Sequence, residues 1–519
     1  MGNTGKKWLK IGLGILIGVF IMLFIAQWYI KNKLTSYIEN DLPKTMKVSY
    51  SDLSVNIFSG SLEVNELQFF RIGQTTNDTL MQLKLHQLLV KNVGYWSYLV
   101  KNTIHVSEVA LENPTVYYNH NPKVQKSAYK SESNNSFEKT VIVDGFNMEN
   151  GYINMYNLET DSLMLHVKNT HFSLKNIRFD AKTQKQKIPI AYNGLHLMFD
   201  SLFFRMSDYD DLRIGKSEIE NKQINLQDVT IKTKYSKKEL SRIIPKERDH
   251  YNIRMASIEL NEFDYGFRQD SILQIKSQQV LITEIDADIY RDKLVADDMS
   301  IKPLYSKMLR DLKFDLAVDE VKIVDTKISY SEKVKADRQA GTVNFNDFQA
   351  IIKNVSNTYV SPAKTTLDIR TEFMNHAPLH ANWEFDVNNV QDRFLFQAEI
   401  DLLKASYLNT FLQPNLNVRL EGELEKTYLT IDGNDNSSQI DFKTKYENFD
   451  VVVLREDGKE KNKFLSDVVN IFVSKNSNKR KSQFVEVTKQ GVERNKNQSV
   501  FNYIWINTRA GLLKAMTFE

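Results

Sequence analysis

The chain has 519 residues, 42% of them apolar, with 68 Lys and Arg against 65 Asp and Glu and a formal net charge of +3. That is enough apolar surface for a large fold, and the balance of charge excludes an overall field that would gather nucleic acid or an acidic partner. No cysteine is present, which excludes disulfides, thiolate metal sites, a cysteine nucleophile and a lipidated cysteine.

Residues 1–7 form a short basic tail, expected in the cytoplasm. Trp8 to Ile30, WLKIGLGILIGVFIMLFIAQWYI, is 23 residues with one lysine near its start, long enough as a helix to cross a hydrocarbon core of about 30 Å. It predicts a retained membrane anchor, because bulky and basic residues follow where a signal peptide would offer small ones at a cleavage site. Residues 31–47 read as a helical linker, with Leu34, Tyr37, Ile38 and Leu42 on one stripe and Pro43 as its stop.

From Val48 onward the dominant period is two, and the body of the chain reads as antiparallel β. The first such stretch, YSDLSVNIFSGSLEV, changes phase at Phe58-Ser59-Gly60. A degenerate repeat follows, with apolar or turn residues at offsets 0, 3, 5, 8, 10 and 12. One copy is Val106, Val109, Leu111, Pro114, Val116 and Tyr118, and another Val143, Phe146, Met148, Gly151, Ile153 and Met155. Met255, Ile258, Leu260, Phe263, Tyr265 and Phe267 form a third, and Val318, Val321, Ile323, Thr326, Ile328 and Tyr330 a fourth; Ile224 to Ile231 is a partial copy. Read as hairpins that turn near offset 7, each copy presents a single apolar face, with Asn150-Gly151 as a tight turn, Asn113-Pro114 as a reversal and a bulge between offsets 0 and 3.

Helical patterns are few: Lys237 to Ile244, Leu402 to Leu412, Lys461 to Val473 and Val500 to Met516. The last sets Phe501, Ile504, Trp505, Leu512 and Met516 along an apolar stripe that is expected to pack on the protein's own sheet or to meet a partner. Residues 48–400 are expected to form a repetitive β domain and 401–519 a C-terminal β region with capping helices.

The chemistry-bearing patterns are weak. His376 and His380 in HAPLH are separated by Pro378 and lack HExxH, which argues against zinc. Asp432, Asn434 and Asn436 begin like a calcium loop, but Lys443 stands where its glutamate belongs, so a strand turn is the better reading. The basic group Lys475, Lys479, Arg480 and Lys481 has no interleaved aromatics for stacking on bases. No nucleophile and base pair stands out, and no enzyme, cofactor or nucleic-acid partner is expected.

Three stretches carry a family likeness: YSDLSVNIFSGSLEVNELQF after the apolar helix, FDLAVDEVKIVDTKISY followed by GTVNFNDFQAIIKNVSN, and ASYLNTFLQPNLNVRLEGELEKTYLTIDG. In these strand and turn patterns the chain resembles the AsmA-like bacterial envelope proteins, and is shorter than that family's long bridging members. The resemblance implies an inner-membrane anchor, a periplasmic β-groove and a part in outer-membrane homeostasis or phospholipid movement between membranes.

The expected fold is therefore a mostly β, elongated, curved antiparallel sheet built from degenerate hairpin repeats. The expected lipid-facing residues are Leu53, Val55, Val109, Leu111, Val116, Phe146, Met148, Ile153, Ile258, Leu260, Tyr265, Val321, Ile323 and Ile328, and the expected partners are membrane phospholipids. The alternative is an envelope scaffold of closed β-sandwiches that binds another envelope protein through its C-terminal helix.

Overall fold

The computed structural model describes residues 24–73, 78–121, 138–269, 271–455, 477 and 484–517. The fold is mostly β. Two compact units divide the chain: one holds the described residues up to Arg205 together with Ile214–Asn221, the other Met206–Arg213 and the residues from Lys222 onward.

The first unit contains β1 (Met46–Ser49), β2 (Asp52–Asn56), β3 (Ser61–Ile72), β4 (Thr79–Lys91), helix α1 (Tyr95–Lys101), β5 (Thr103–Glu112), β6 (Thr115–His120), β7 (Thr140–Asn157), β8 (Ser162–Phe179), β9 (Gly194–Phe199) and β10 (Ser201–Arg205). Several consecutive strands are halves of one line. β1 and β2 both lie along β3, β5 and β6 both lie between β4 and β7, and β9 and β10 both lie along β8. After β11 (Asp210–Ile214), β12 (Ser217–Glu220) returns to pair with β9.

In the second unit β11 pairs with β13 (Gln223–Thr233), which pairs with β14 (Asp249–Asn261); β14 and β15 (Asp264–Arg268) both lie along β16 (Ile272–Asp292). Then follow β17 (Asp315–Lys333), β18 (Gly341–Ser356), β19 (Thr365–Phe373), β20 (Ala377–Phe385), β21 (Phe394–Ile400), β22 (Leu403–Lys404), β23 (Val418–Gly433), β24 (Ser437–Val453) and β25 (Val485–Glu493). From β17 to β25 each long strand pairs with the next, β21 joining β23 directly and β22 adding to the edge of β23. The helices are α2 (Lys237–Ile243), α3 (Tyr305–Arg310), α4 (Asn409–Leu416) and α5 (Val500–Met516).

Two expectations are corrected here. The pairing is mixed, because β5 and β6 run parallel to β7, and β16 parallel to β17. The repeat copies, moreover, are not hairpins. Each is one long strand, continuous or nearly so, with a single left-handed residue at offset 7: Asn113, Asn150, Glu262 and Asp325 have φ of 51°, 53°, 49° and 53°, and Asp228 in the partial copy has 52°. A left-handed residue inserts one extra residue into the ladder and resets the alternation, so apolar side chains at offsets 3 and 5 rejoin those at 8, 10 and 12. A tight turn would give the same parity. What selects the strand is pairing on both sides: β7 is hydrogen-bonded along its length to β5 and β6 on one flank and to β8 on the other. Asn and Asp supply most of these positions, as the residues whose short polar side chains best tolerate positive φ.

The opening stretch does turn. Leu53 pairs with Val64 and Val55 with Leu62, making β2 and β3 a true hairpin whose tip holds Gly60 at φ 61°. A Cβ there would lie 2.8 Å from the Val93 carbonyl oxygen, so only glycine fits. At the start of each copy the ladder is also interrupted, but by the neighbour: pairing steps from Val143–Ile177 to Gly145–Lys175, past Asp144 and left-handed Asn176.

Of the expected anchor, residues 8–23 lie outside the described residues, while 24–36 are helical and pass into a short π-helical turn at Tyr37–Asp41. No helix among the described residues is long and apolar enough to cross a membrane. The predicted helix at Lys461 to Val473 and the basic group at Lys475 and 479–481 also lie outside the described residues.

Candidate functional site

Directly opposed residues in adjacent strands point to the same face, so the registers can be followed across each unit. In the first unit one line reads Leu53, Val64, Leu88, Leu111, Met148, Phe172, Leu197 and Ile219, from β2 to β12 without a polar residue. Beside it runs Val55, Leu62, Val90, Val109, Phe146, Leu174 and Leu195. Beyond the left-handed residues a third line reads Val48, Phe69, Leu83, Val116, Ile153, Val167 and Leu202.

The second unit repeats the arrangement. Leu226, Ile258, Ile282, Ile323, Ala350, Ile369, Ala381, Ala398, Leu429 and Phe442 form one line from β13 to β24, and Ile224, Leu260, Val280, Val321, Ile352, Leu367, Trp383, Phe396, Ile431 and Ile440 the next. Ile231, Ile253, Ala287, Ile328 and Phe345 lie on the far side of the left-handed positions.

The reverse face is mostly polar, interrupted by Leu89, Ala110, Leu281 and Ile351, and carries pairs of its own. Gln87 Nε2 donates to Glu63 at 2.7 Å, Lys91 lies 2.9 Å from Glu108, Asn147 Nδ2 donates to Glu108 at 3.2 Å, and Gln279 Nε2 donates to Glu320 at 2.9 Å. The Lys91 ammonium holds the Glu108 carboxyl below its ordinary range. At one strand end of the second unit Arg291 Nε donates to Asp249 at 2.7 Å and Thr233 Oγ1 donates to Asp210 at 2.7 Å.

Each of the fourteen expected lining residues lies on a strand; the registers align eight of them within the first unit and five within the second, and leave Tyr265 outside the lines. Leu111 stands beside Met148, Val109 beside Phe146, Val116 beside Ile153, and, through β16, Ile258 and Leu260 are joined to Ile323 and Val321. Leu53 is buried at 2% exposure, Tyr265 is exposed at 41%, and the other twelve are half-buried. Sequence reading did not single out Leu83, Leu88, Phe172, Val280 or Ile282, which complete the lines. β8 carried a usable signal, since Val167, Thr170, Phe172 and Leu174 fit offsets 5, 8, 10 and 12 around left-handed Asn169.

Among the described residues, a face that stays half-buried is one without a fully packed layer on it. The two clusters of buried apolar residues described in this chain both lie between Leu304 and Met516. There α5 sits on the face. Its N-cap Ser499 accepts a hydrogen bond from the Asn502 N–H at 3.3 Å, and Val500, Tyr503, Asn507, Gly511 and Ala515 make its buried side. This corrects the expected stripe. Met516 is buried and Ile504, Trp505 and Leu512 pack at the margins, but Phe501 points outward at 64% exposure. The helix does pack on the protein's own sheet, as expected.

The weighed chemistry resolves into structure. The His376 ring stacks on Tyr407 with centroids 3.9 Å apart, while His380 lies on β20, 3.3 Å from Asp368. Asn434 Oδ1 accepts from Asn436 and Ser437 N–H groups at 2.8 and 3.2 Å, making the β23–β24 turn. Among the described residues no group of three His, Cys, Asp or Glu is placed to hold a metal. No protein-family model matches the chain, and no curated protein matches it.

Proposed function

We propose that the half-exposed apolar face shelters lipid acyl chains, as the inside of a long curved groove in a membrane-anchored periplasmic protein. The reading makes the chain an AsmA-like envelope protein that takes part in phospholipid movement between membranes or in outer-membrane homeostasis. The observation that carries it is the run of aliphatic and aromatic residues from strand to strand, backed by a mostly polar reverse face and, away from α5, half-buried among the described residues. A face of this kind in water is a liability unless something apolar occupies it. An acyl chain gains about 0.8 kcal/mol for each methylene it withdraws from water there, with no specific contact required. The role assigned to the fourteen lining residues is accordingly non-specific burial.

The test is native mass spectrometry of protein purified from membranes, with Leu260→Glu and Ile323→Glu as variants. Co-purified phospholipid in the wild type, lost in variants that still unfold cooperatively, is the expected result. Lipid-free wild-type protein that instead retains another envelope protein through α5 would favour the scaffold reading. Variants that fail to fold would mean that the face is core.

A further inference from the structure

The first unit carries a second apolar surface, at one end of its strands. The tip of the β2–β3 hairpin holds Phe58, 57% exposed. Beside it the Val93 N–H donates to the Gly60 carbonyl at 2.8 Å, and the chain passes from there into α1, where Tyr95, Tyr98 and Val100 are exposed too. Four large apolar side chains on a turn and a two-turn helix add nothing to a core.

Cations gather at the same strand end. Lys101 closes α1, the Lys139 ammonium lies 3.7 Å from the Tyr98 ring centroid, and the segment after β8 exposes Lys182, Lys185 and Lys187. Asp180 shapes that segment by accepting from the Lys182 and Thr183 N–H groups at 2.8 and 2.9 Å, and its own charge is answered by Arg178 at 2.6 Å. Exposed Glu138 opposes the five lysines.

The direction of the N-terminal helix connects this surface to a membrane. The chain leaves the helical turn at Asp41 and enters β1 at Met46, yet Lys31 lies 3.9 Å from Asp52 in β2. The helix therefore runs back alongside β1 and β2, and its Phe24 end heads toward the hairpin tip. Phe24, Ile25, Trp28 and Tyr29 are exposed, and they belong to the apolar run that began at Trp8. The chain outside the described residues thus continues from this end, with the first 16 residues of the 23-residue apolar run.

We infer that this end of the first unit is a membrane-docking surface, on which Phe58, Tyr95, Tyr98 and Val100 enter the headgroup boundary and the lysines meet anionic headgroups. Aromatic rings favour that boundary because one edge is apolar and the other wet. An anionic leaflet attracts each nearby lysine independently of lipid identity. The inference rests on the anchor reading above and adds where the anchored protein touches its bilayer, at the end where acyl chains would pass between membrane and sheet.

The test uses the full chain reconstituted in liposomes of phosphatidylcholine alone or mixed with phosphatidylglycerol. Because the chain has no cysteine, Ser59→Cys carries a single environment-sensitive fluorophore, and Thr160→Cys, in the β7–β8 turn at the opposite strand end, is the control. Expected are a blue-shifted emission at residue 59 and quenching by nitroxide lipid at headgroup depth, both stronger in the mixed liposomes and absent at residue 160. Lys185→Gln and Lys187→Gln should each lower the docked-to-undocked ratio about fivefold, and Tyr95→Ser with Tyr98→Ser should return the emission to the red.

Equal signals at residues 59 and 160, indifference to the lysine changes, or a signal that follows protein density rather than lipid would overturn the inference, the last pointing to a second copy of the chain. Lipid content is scored on the same samples. Retained lipid with an unquenched label at residue 59 removes the docking surface and leaves the sheltering face standing; a quenched label without retained lipid does the reverse.

Discussion

Strands β13 to β18 and strands β19 to β24 carry the same two apolar lines, yet the first set is half-buried except at Ala350, whereas the second is buried except at Leu367, Ile369 and Phe396. Ile323 and Ile431 show the contrast, two isoleucines on adjacent lines of one face. Ile323 is half-buried, whereas Ile431 is fully buried beneath a layer built on α5. α5 lies on β23 to β25, with Gly511 seated against Phe442 of β24, while Tyr305 of α3 packs on Trp383 of β20. Among the described residues, strands β13 to β17 keep bulky, half-buried side chains on these two lines.

The comparison can be broken by measuring what each half of the face contributes to folding. Ile431→Ala should cost about 2–5 kcal/mol, as for a fully buried large-to-small change, while Ile323→Ala should cost about 1 kcal/mol because much of its surface stays wet in the folded state. Urea unfolding of the two variants decides it, and equal losses would mean that both halves are core.

Gly511→Val sharpens the comparison from the helix side. A Cβ at Gly511 would lie 2.7 Å from that of Phe442, so the branched side chain should wedge α5 off the sheet at about 1–3 kcal/mol. Faster proteolysis of the C-terminal helix, with the first unit untouched, is the expected readout. Ser499→Ala removes the N-cap of the same helix and should lower stability by about 1 kcal/mol.

The smallest effect belongs to Asp180, in the first unit. The Thr183 backbone N–H, followed by Arg178, lowers its carboxyl to about 2. A folded value below the unfolded one means that its contribution is in place above about pH 4 and is lost as pH falls toward 2. Exchange of the Lys182 and Thr183 amides should therefore be insensitive to this group at neutral pH and quicken relative to the sheet only in that acid window, and Asp180→Asn should abolish the step.

Much of the architecture was legible from alternation alone. Leu53 and Val55, Val109 and Leu111, Ile258 and Leu260, and Val321 and Ile323 could be placed on one face by parity, and the registers align them. The conformation at Asn150-Gly151 was not legible. A tight turn and a left-handed residue within a straight strand both shift the alternation by one, and they differ only in what lies on either flank. The buried side of α5 was missed for a related reason. Besides Val500 and Tyr503, its contact stripe holds Asn507, Gly511 and Ala515, which lack strong hydropathy; Gly511 sits against Phe442, and Ser438 donates to Asn507 Oδ1 at 2.8 Å.

By itself the sequence determined that this chain makes long strands with one apolar and one polar face, because side-chain direction in a strand alternates with every residue and the hydropathy pattern records that alternation directly. Tertiary structure decided whether each phase change became a turn or a kink, which strands ran parallel, and which part of the apolar face α5 would cover. Those outcomes depend on partners distant in sequence, whose hydrogen bonds and shapes no local pattern encodes.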